Sequence, residues 1–352
     1  MATIARPLQT QRSYRRWVKR IAGALAALLL VFAGIIAIAG AKAKADLAAK
    51  YPPPGQLVDV GGYKLHIACQ GTGSPTVVMD AGLGDFSLIW ALVQPEASRI
   101  TQVCVYDRAG YGWSDRSATP RTAQNIVNEL HTLLTRSGVQ GPYVLVGHSL
   151  GGMHVRLFAY QHPDQVAGLV LVDASHEEQD MRMPTALVNN IRQLQSGADG
   201  QMQVLRALAA IGVLAQSPDR FPDIHPQLSV ATRETYKAVL ASDSRFFATY
   251  PEELAGAEES MAQLRAARIT SLGTLPVMVI RHGKAEAATP EIPEVIVRQG
   301  EQVWQILQGE LAAQSTHGRL IVAERSGHYI QLDQPELVVD AIRQVVEAAQ
   351  GR

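Results

Sequence analysis

This sequence has no surplus of charge: 32 Lys and Arg balance 32 Asp and Glu across 352 residues. No basic block lies outside the N-terminus, so binding to nucleic acid has no electrostatic support. Only two cysteines occur, Cys69 and Cys104. Nowhere do His, Cys and carboxylate residues fall at metal-ligand spacing. Neither a metal nor a cofactor is therefore expected. No internal repeat is present, and the single biased tract is Tyr51-Pro52-Pro53-Pro54-Gly55, which reads as a stiff extended linker. The most telling absence is local. Charge is missing altogether from Ile21 to Gly40, and the first acidic residue is Asp46.

That charge-free run follows Arg6, Arg12, Arg15, Arg16, Lys19 and Arg20. Its 20 residues, at a rise of about 1.5 Å each, match a bilayer core of roughly 30 Å. A signal-peptide core is shorter, about 7–15 residues. A buried soluble helix would keep a polar face. Residues 1–20 are expected to stay cytoplasmic, 21–40 to form a transmembrane signal-anchor, and 41–55 to link it to an extracytoplasmic domain. Small residues in Ala41-Lys42-Ala43 and Ala43-Lys44-Ala45 also fit a cleavage site. That leaves open a cleaved signal and a secreted or periplasmic chain.

With 47% hydrophobic residues, the remainder has ample material for a large core. A hairpin is expected from Leu57 to Cys69 around Gly61-Gly62. Strand-like runs follow at Thr76–Asp80, Thr101–Tyr106, Tyr143–Val146, Val166–Val172, Pro276–Ile280 and Arg319–Ala323. Helical patterns fall between several of them and close the chain from about Pro335 to Ala349. A hairpin followed by repeated strand–helix units predicts an α/β fold with a mainly parallel sheet. Between Asp173 and Pro276 the alternation stops, and helical spacing such as Val204, Leu205, Leu208, Ile211 and Leu214 takes over. We expect a core over 56–175 and 275–352, with 176–274 as a helical lid above the carboxyl ends of the strands.

The stretch Tyr143-Val144-Leu145-Val146-Gly147-His148-Ser149-Leu150-Gly151-Gly152 carries the most chemistry. An apolar strand runs into Gly-x-Ser-x-Gly, and a helical pattern follows. This is the pattern of a nucleophile elbow, which presents the serine at a sharp strand-to-helix turn. The Leu150 N–H and the positive helix end then face a developing oxyanion. Serine is a weak nucleophile and needs a base held by a carboxylate.

With that elbow and strand order, residues 56–350 resemble the α/β-hydrolase superfamily. Asp107-Arg108-Ala109-Gly110-Tyr111-Gly112-Trp113-Ser114-Asp115 looks like the loop after its fourth strand. Ser326-Gly327-His328-Tyr329-Ile330-Gln331-Leu332-Asp333-Gln334-Pro335-Glu336 looks like its histidine loop. The resemblance implies an eight-stranded sheet with helices on both faces, Ser149 as nucleophile and His328 as base. For the acid it allows Asp173, at the strand end after the elbow helix. It also allows Glu286 after the next strand, and a third carboxylate such as Glu177 stays open; Asp173, short and rigidly placed at a strand end, is favoured over Glu286 in its looser loop. Asp80-Ala81-Gly82-Leu83-Gly84 replaces the common His-Gly, so the loop must be braced by other groups. The Leu83 N–H still suits a second oxyanion donor.

The chemistry so implied is a carboxylic ester hydrolase, or one cleaving thioesters or amides, acting on a small molecule. Dehalogenase and epoxide hydrolase relatives have aspartate where Ser149 stands. An aminopeptidase of the same fold is an alternative, although no acidic pair in 176–274 marks an amine pocket; a non-catalytic binding or signalling protein is another. The superfamily's strand order makes the second and fourth strands antiparallel neighbours. Cys69 and Cys104 are then either bridged outside the cytoplasm or buried as free thiols.

Overall fold

Successive strand residues point to opposite sides of a sheet, and in this chain both sides are apolar, so both must be covered. The computed structural model, which describes residues 8–285 and 287–351, meets this demand with a single eight-stranded sheet. Its strands are β1 (Gln56–Asp59), β2 (Lys64–Gln70), β3 (Thr76–Asp80), β4 (Val103–Tyr106), β5 (Tyr143–His148), β6 (Val166–Val172), β7 (Val277–His282) and β8 (Gly318–Ala323). They lie in the order β1-β2-β4-β3-β5-β6-β7-β8. Only the β1–β2 and β2–β4 pairs are antiparallel.

Eleven α-helices accompany the strands among the described residues. The N-terminal one is α1 (Leu8–Lys50), and α2 (Gln94–Ala97), α3 (Ala123–Ser137) and α4 (Leu150–Gln161) lie among the first strands. Between β6 and β7 come α5 (Gln179–Arg182), α6 (Thr185–Ala210), α7 (Val230–Ser242) and α8 (Arg245–Ala267). The last are α9 (Glu294–Ala313), α10 (Ile330–Asp333) and α11 (Pro335–Ala349). Val78, Leu145, Leu169 and Val279 face α3 and α4 through Leu130, Leu133, Val155 and Phe158. Their strand neighbours Met79, Val146, Val170 and Ile280 face α11 through Val338, Ile342 and Val345. The expected architecture is present, with helices on both faces of the sheet.

Two features differ from the sequence reading. Helix α1 runs on through Lys50, so residues 41–50 are helical, and the extended link begins only at Tyr51. Ala-rich sequence and a Lys42–Asp46 pair one turn apart (2.7 Å) favour that continuation. Helix α9 was not anticipated. Gly300 and Gly309 lie within it, and glycine weakens a helical pattern. Cys69 and Cys104 face one another directly across β2 and β4. They are joined by a disulfide, with Cα atoms 4.0 Å apart.

Candidate active site

Strand β5 stops at His148 and α4 starts at Leu150, which leaves Ser149 alone in the turn. Its backbone sits at φ 52° and ψ −121°, a region that costs a non-glycine residue roughly 1–3 kcal/mol. The glycines explain how the turn closes. A Cβ at Gly147 would come within 2.6 Å of the Gly151 carbonyl, and one at Gly151 within 2.6 Å of the Ala81 carbonyl. The loop after β3 is equally close: a Cβ at Gly82 would lie 3.2 Å from Ser149 Cβ. Leu83, Ser149 and Leu150 line one cleft. The Leu150 N–H opens α4 and so has no acceptor within the helix. Among the described residues the Leu83 N–H has no hydrogen-bond acceptor.

Asp173 directly follows β6, with φ 42°, and its carboxylate collects several donors. His328 Nδ1 is 2.6 Å from Oδ2. His282 Nδ1 is 2.8 Å from Oδ2, the His282 backbone N–H donates to Oδ1 at 3.1 Å, and Trp304 Nε1 donates to Oδ1 at 2.9 Å. Burial opposes the charge on Asp173. The hydrogen bonds from His282 and His328 outweigh it and hold the carboxyl well below its usual range. Glu301 stands 3.0 Å from the far nitrogen of His282. Burial lowers the His282 pKa, but its bonds to Asp173 and Glu301 win and push it up to about 10. His282 is therefore an imidazolium at neutral pH.

Among the described residues, Asp173 is the considered carboxylate in contact with His328. Glu177 instead pairs with Arg156 at 2.7 Å and 3.1 Å, and a buried arginine holds it away from this role. Glu286 lies outside the described residues. The sequence reading overlooked His282 and Trp304. A histidine closing the strand next to β6 was a usable signal, because β6 and β7 pair in parallel with Val172 opposite Ile280.

The brace for the Leu83 loop comes from Arg108. Its guanidinium bonds Asp80 Oδ1 (2.7 Å), the Ala81 carbonyl (2.6 Å), the Gly82 carbonyl (2.7 Å) and Glu253 of α8 (2.7 Å). Asp80 also accepts from His154, 2.9 Å away. Burial raises the Asp80 pKa, but the Arg108 charge and His154 bring it down to about 2. On the other side of the elbow, His148 Nε2 donates to the His328 carbonyl at 3.0 Å and ties the two loops together. Burial and then the neighbouring His328 push the His148 pKa down to about 3, so that ring is neutral.

The cleft holding Ser149 has a volume of about 480 Å³. Val188, Pro251, Leu254 and Met261 make an apolar wall from α6 and α8, and Asp180, Arg192 and Glu258 make a charged one. The tertiary structure thus places two acids from the helical stretch at one cleft, although their sequence positions mark no pair. No cluster able to hold a metal ion occurs among the described residues.

The model of the alpha/beta hydrolase family matches residues 77–341. A probable transporter, efuK, of Hormonema carpetanum is 26% identical over 324 residues, 84% of this chain and 43% of that protein. The chain spans less than half the length of the first curated relatives it matches. Among solved structures, an ancestral haloalkane dehalogenase superposes with a TM-score of 0.61 at 19% identity, covering 84% of this chain and 100% of that one. The epoxide hydrolase CorEH gives a TM-score of 0.59 at 19% identity, covering 84% and 98%. At such identities these two likenesses bear on the fold alone.

Proposed function

The chain belongs to the alpha/beta hydrolase family, and on that premise we propose a serine hydrolase that cleaves an ester, thioester or amide through an acyl-enzyme. The observation that carries this reading is the Asp173–His328 bond of 2.6 Å, in a loop tied through the His328 carbonyl to His148, the chain neighbour of a serine held at φ 52° in a strand–helix turn. His328 Nδ1 is engaged by Asp173, so Nε2 is the nitrogen that takes the Ser149 proton as Oγ attacks the carbonyl carbon. The oxyanion is received by the N–H groups of Leu83 and Leu150. Collapse breaks the bond to the leaving group, which takes the proton from His328. Water then attacks the acyl carbon and gives a proton to His328; collapse breaks the acyl–Oγ bond, Ser149 Oγ takes that proton back from His328, and the acid leaves. The superfamily resemblance puts Ser149 where dehalogenase and epoxide hydrolase members have aspartate, which favours acyl transfer on the same fold. Residues 176–274 act as a lid over this cleft, and α1 anchors the catalytic part outside the cytoplasm.

Ser149→Ala is expected to lower kcat at least about a thousandfold. It should also abolish fluorophosphonate labelling with the melting temperature kept. Wild-type-like ester hydrolysis by this variant would place the nucleophile elsewhere, and an unlabelled wild-type chain would favour a binding protein. Asp173→Asn should lose far more kcat than Glu286→Gln, and the reverse ranking in folded variants reassigns the acid. Asp180 and Glu258 on the cleft wall favour a second reading, an aminopeptidase, and burial raises the Asp180 pKa. Arg192 on the same wall offsets their charge. Faster turnover of amino-acid anilides than of acyl esters would decide for it.

A further inference from the structure

The lower half of α1 does not hang free of the catalytic part. From Tyr14 to Ile35 every residue of the helix is exposed, whereas Ile36, Ala39, Gly40, Ala43, Lys44 and Leu47 are covered in part or in full. Their spacing of three and four residues puts them on one helix face. What covers them is the segment that follows the last residue of α6, together with α7. The approach at Gly40 is backbone to backbone: a Cβ there would fall 2.0 Å from the Ile211 carbonyl, and one at Gly212 would fall 2.4 Å from Gly40. Lys44 Nζ donates to the Ala210 carbonyl at 3.5 Å.

The position of this contact along α1 matters. Gly40 lies one residue from the end of the charge-free run, and Lys42 is the first charge after it. Ile36 lies about 6 Å back along the helix, inside the apolar run. It shares a cavity of about 640 Å³ with Leu205, Leu208, Leu214 and Phe221. Any bilayer that accommodates residues 21–40 therefore reaches the elements packed on Ile36 and Gly40. Those elements and their neighbours carry large apolar side chains on the outside: Val204 is 59% exposed, Ile211 46%, Ile224 53% and Val230 62%. Exposed apolar side chains collected beside a membrane span are the signature of a surface that meets lipid.

We infer that the end of α6 and the segment leading into α7 form a bilayer-docking surface, continuous with α1, that holds the Ser149 cleft at the membrane face. This rests on the reading of α1 as an anchor. The occupant is the lipid of the membrane that α1 crosses, and the substrates so favoured are amphiphilic acyl compounds that partition into that lipid.

The test uses the full chain in phosphatidylcholine nanodiscs with brominated acyl chains. Environment-sensitive fluorophores are attached through Val204→Cys, Ile224→Cys, Leu30→Cys and Leu320→Cys, one at a time, while Cys69 and Cys104 stay bridged. Quenching at positions 204, 224 and 30, and none at 320, is the expected pattern. Quenching at 30 without quenching at 204 and 224 overturns the docking surface and leaves the anchor standing. An unquenched position 30 removes the anchor and the docking surface with it. In parallel, Val204→Asp with Ile224→Asp should lower turnover of a bilayer-partitioned long-chain ester about tenfold. Turnover of a water-soluble acetate ester should stay unchanged. Equal loss on both esters, or on neither, contradicts the role in substrate delivery.

Discussion

Two histidines share the Asp173 carboxylate, and they differ in what they do with it. In the proposed mechanism His328 gains and loses a proton in each cycle. His282, held by Asp173 and Glu301, keeps its proton up to about pH 10. Its folded pKa is raised above the unfolded value of about 6.5. The stability it contributes is fully present below that value and is lost as pH rises through about 10. Asp173 works in the opposite sense: its depressed pKa contributes stability above the ordinary carboxylate range, lost as pH falls. His282→Gln should flatten the decline in melting temperature between about pH 7 and 10. It should also move the acidic limb of the kcat/KM profile to higher pH, because Asp173 then acts on His328 without a competing cation. A melting curve and a pH–rate profile read both effects. An unmoved acidic limb would reduce His282 to a packing residue.

At the scale of elements, the antiparallel hairpin is the exposed margin of the sheet, and the disulfide ties it inward. β1 pairs only with β2, and β2 meets the rest of the sheet through β4. The Cys69–Cys104 bridge joins those two strands across a sequence separation of 35. Loop-closure entropy puts the effect of opening such a bridge at about 3–4 kcal/mol. Replacing both cysteines by alanine is therefore expected to lower denaturant stability by about that amount, while kcat is kept, since neither residue touches the cleft. Unchanged denaturant stability would show that strand pairing alone secures the hairpin. Non-reducing peptide mapping of the exported protein checks the bridge itself, which two alkylatable thiols would rule out.

At the scale of the whole molecule, α1 joins two roles that the sequence presents as separate. Its first part is long and apolar enough to cross a membrane, and its last turns pack on α7 and the segment before it. The mature protein should keep residues 1–40 and remain with membranes through a carbonate wash, since a span of this length inserts in effect irreversibly. Mass spectrometry finding a soluble N-terminus near Ala43 or Asp46 would convert the anchor into a signal peptide. The distinction bears on activity, because cleavage there would remove Ile36 and Gly40 from their contacts with the helical excursion.

The sequence by itself determined whatever depends on near neighbours. The elbow turn is local, since Gly147 closes on the Gly151 carbonyl within the turn itself, while Gly151 admits the more distant Ala81 carbonyl. The alternating strands and the charge-free run are local as well, and both faces of the sheet follow from residue-by-residue patterning. Only the tertiary structure decided the partners that meet from far along the chain. Asp173 meets His282 across 109 positions and Trp304 across 131, and Arg108 reaches Glu253 across 145. Sheet register and helix packing create these pairs, and no periodicity marks them in advance. The same reason hid the charged wall of the cleft and the seat of α1, where the deciding quantity is distance through space.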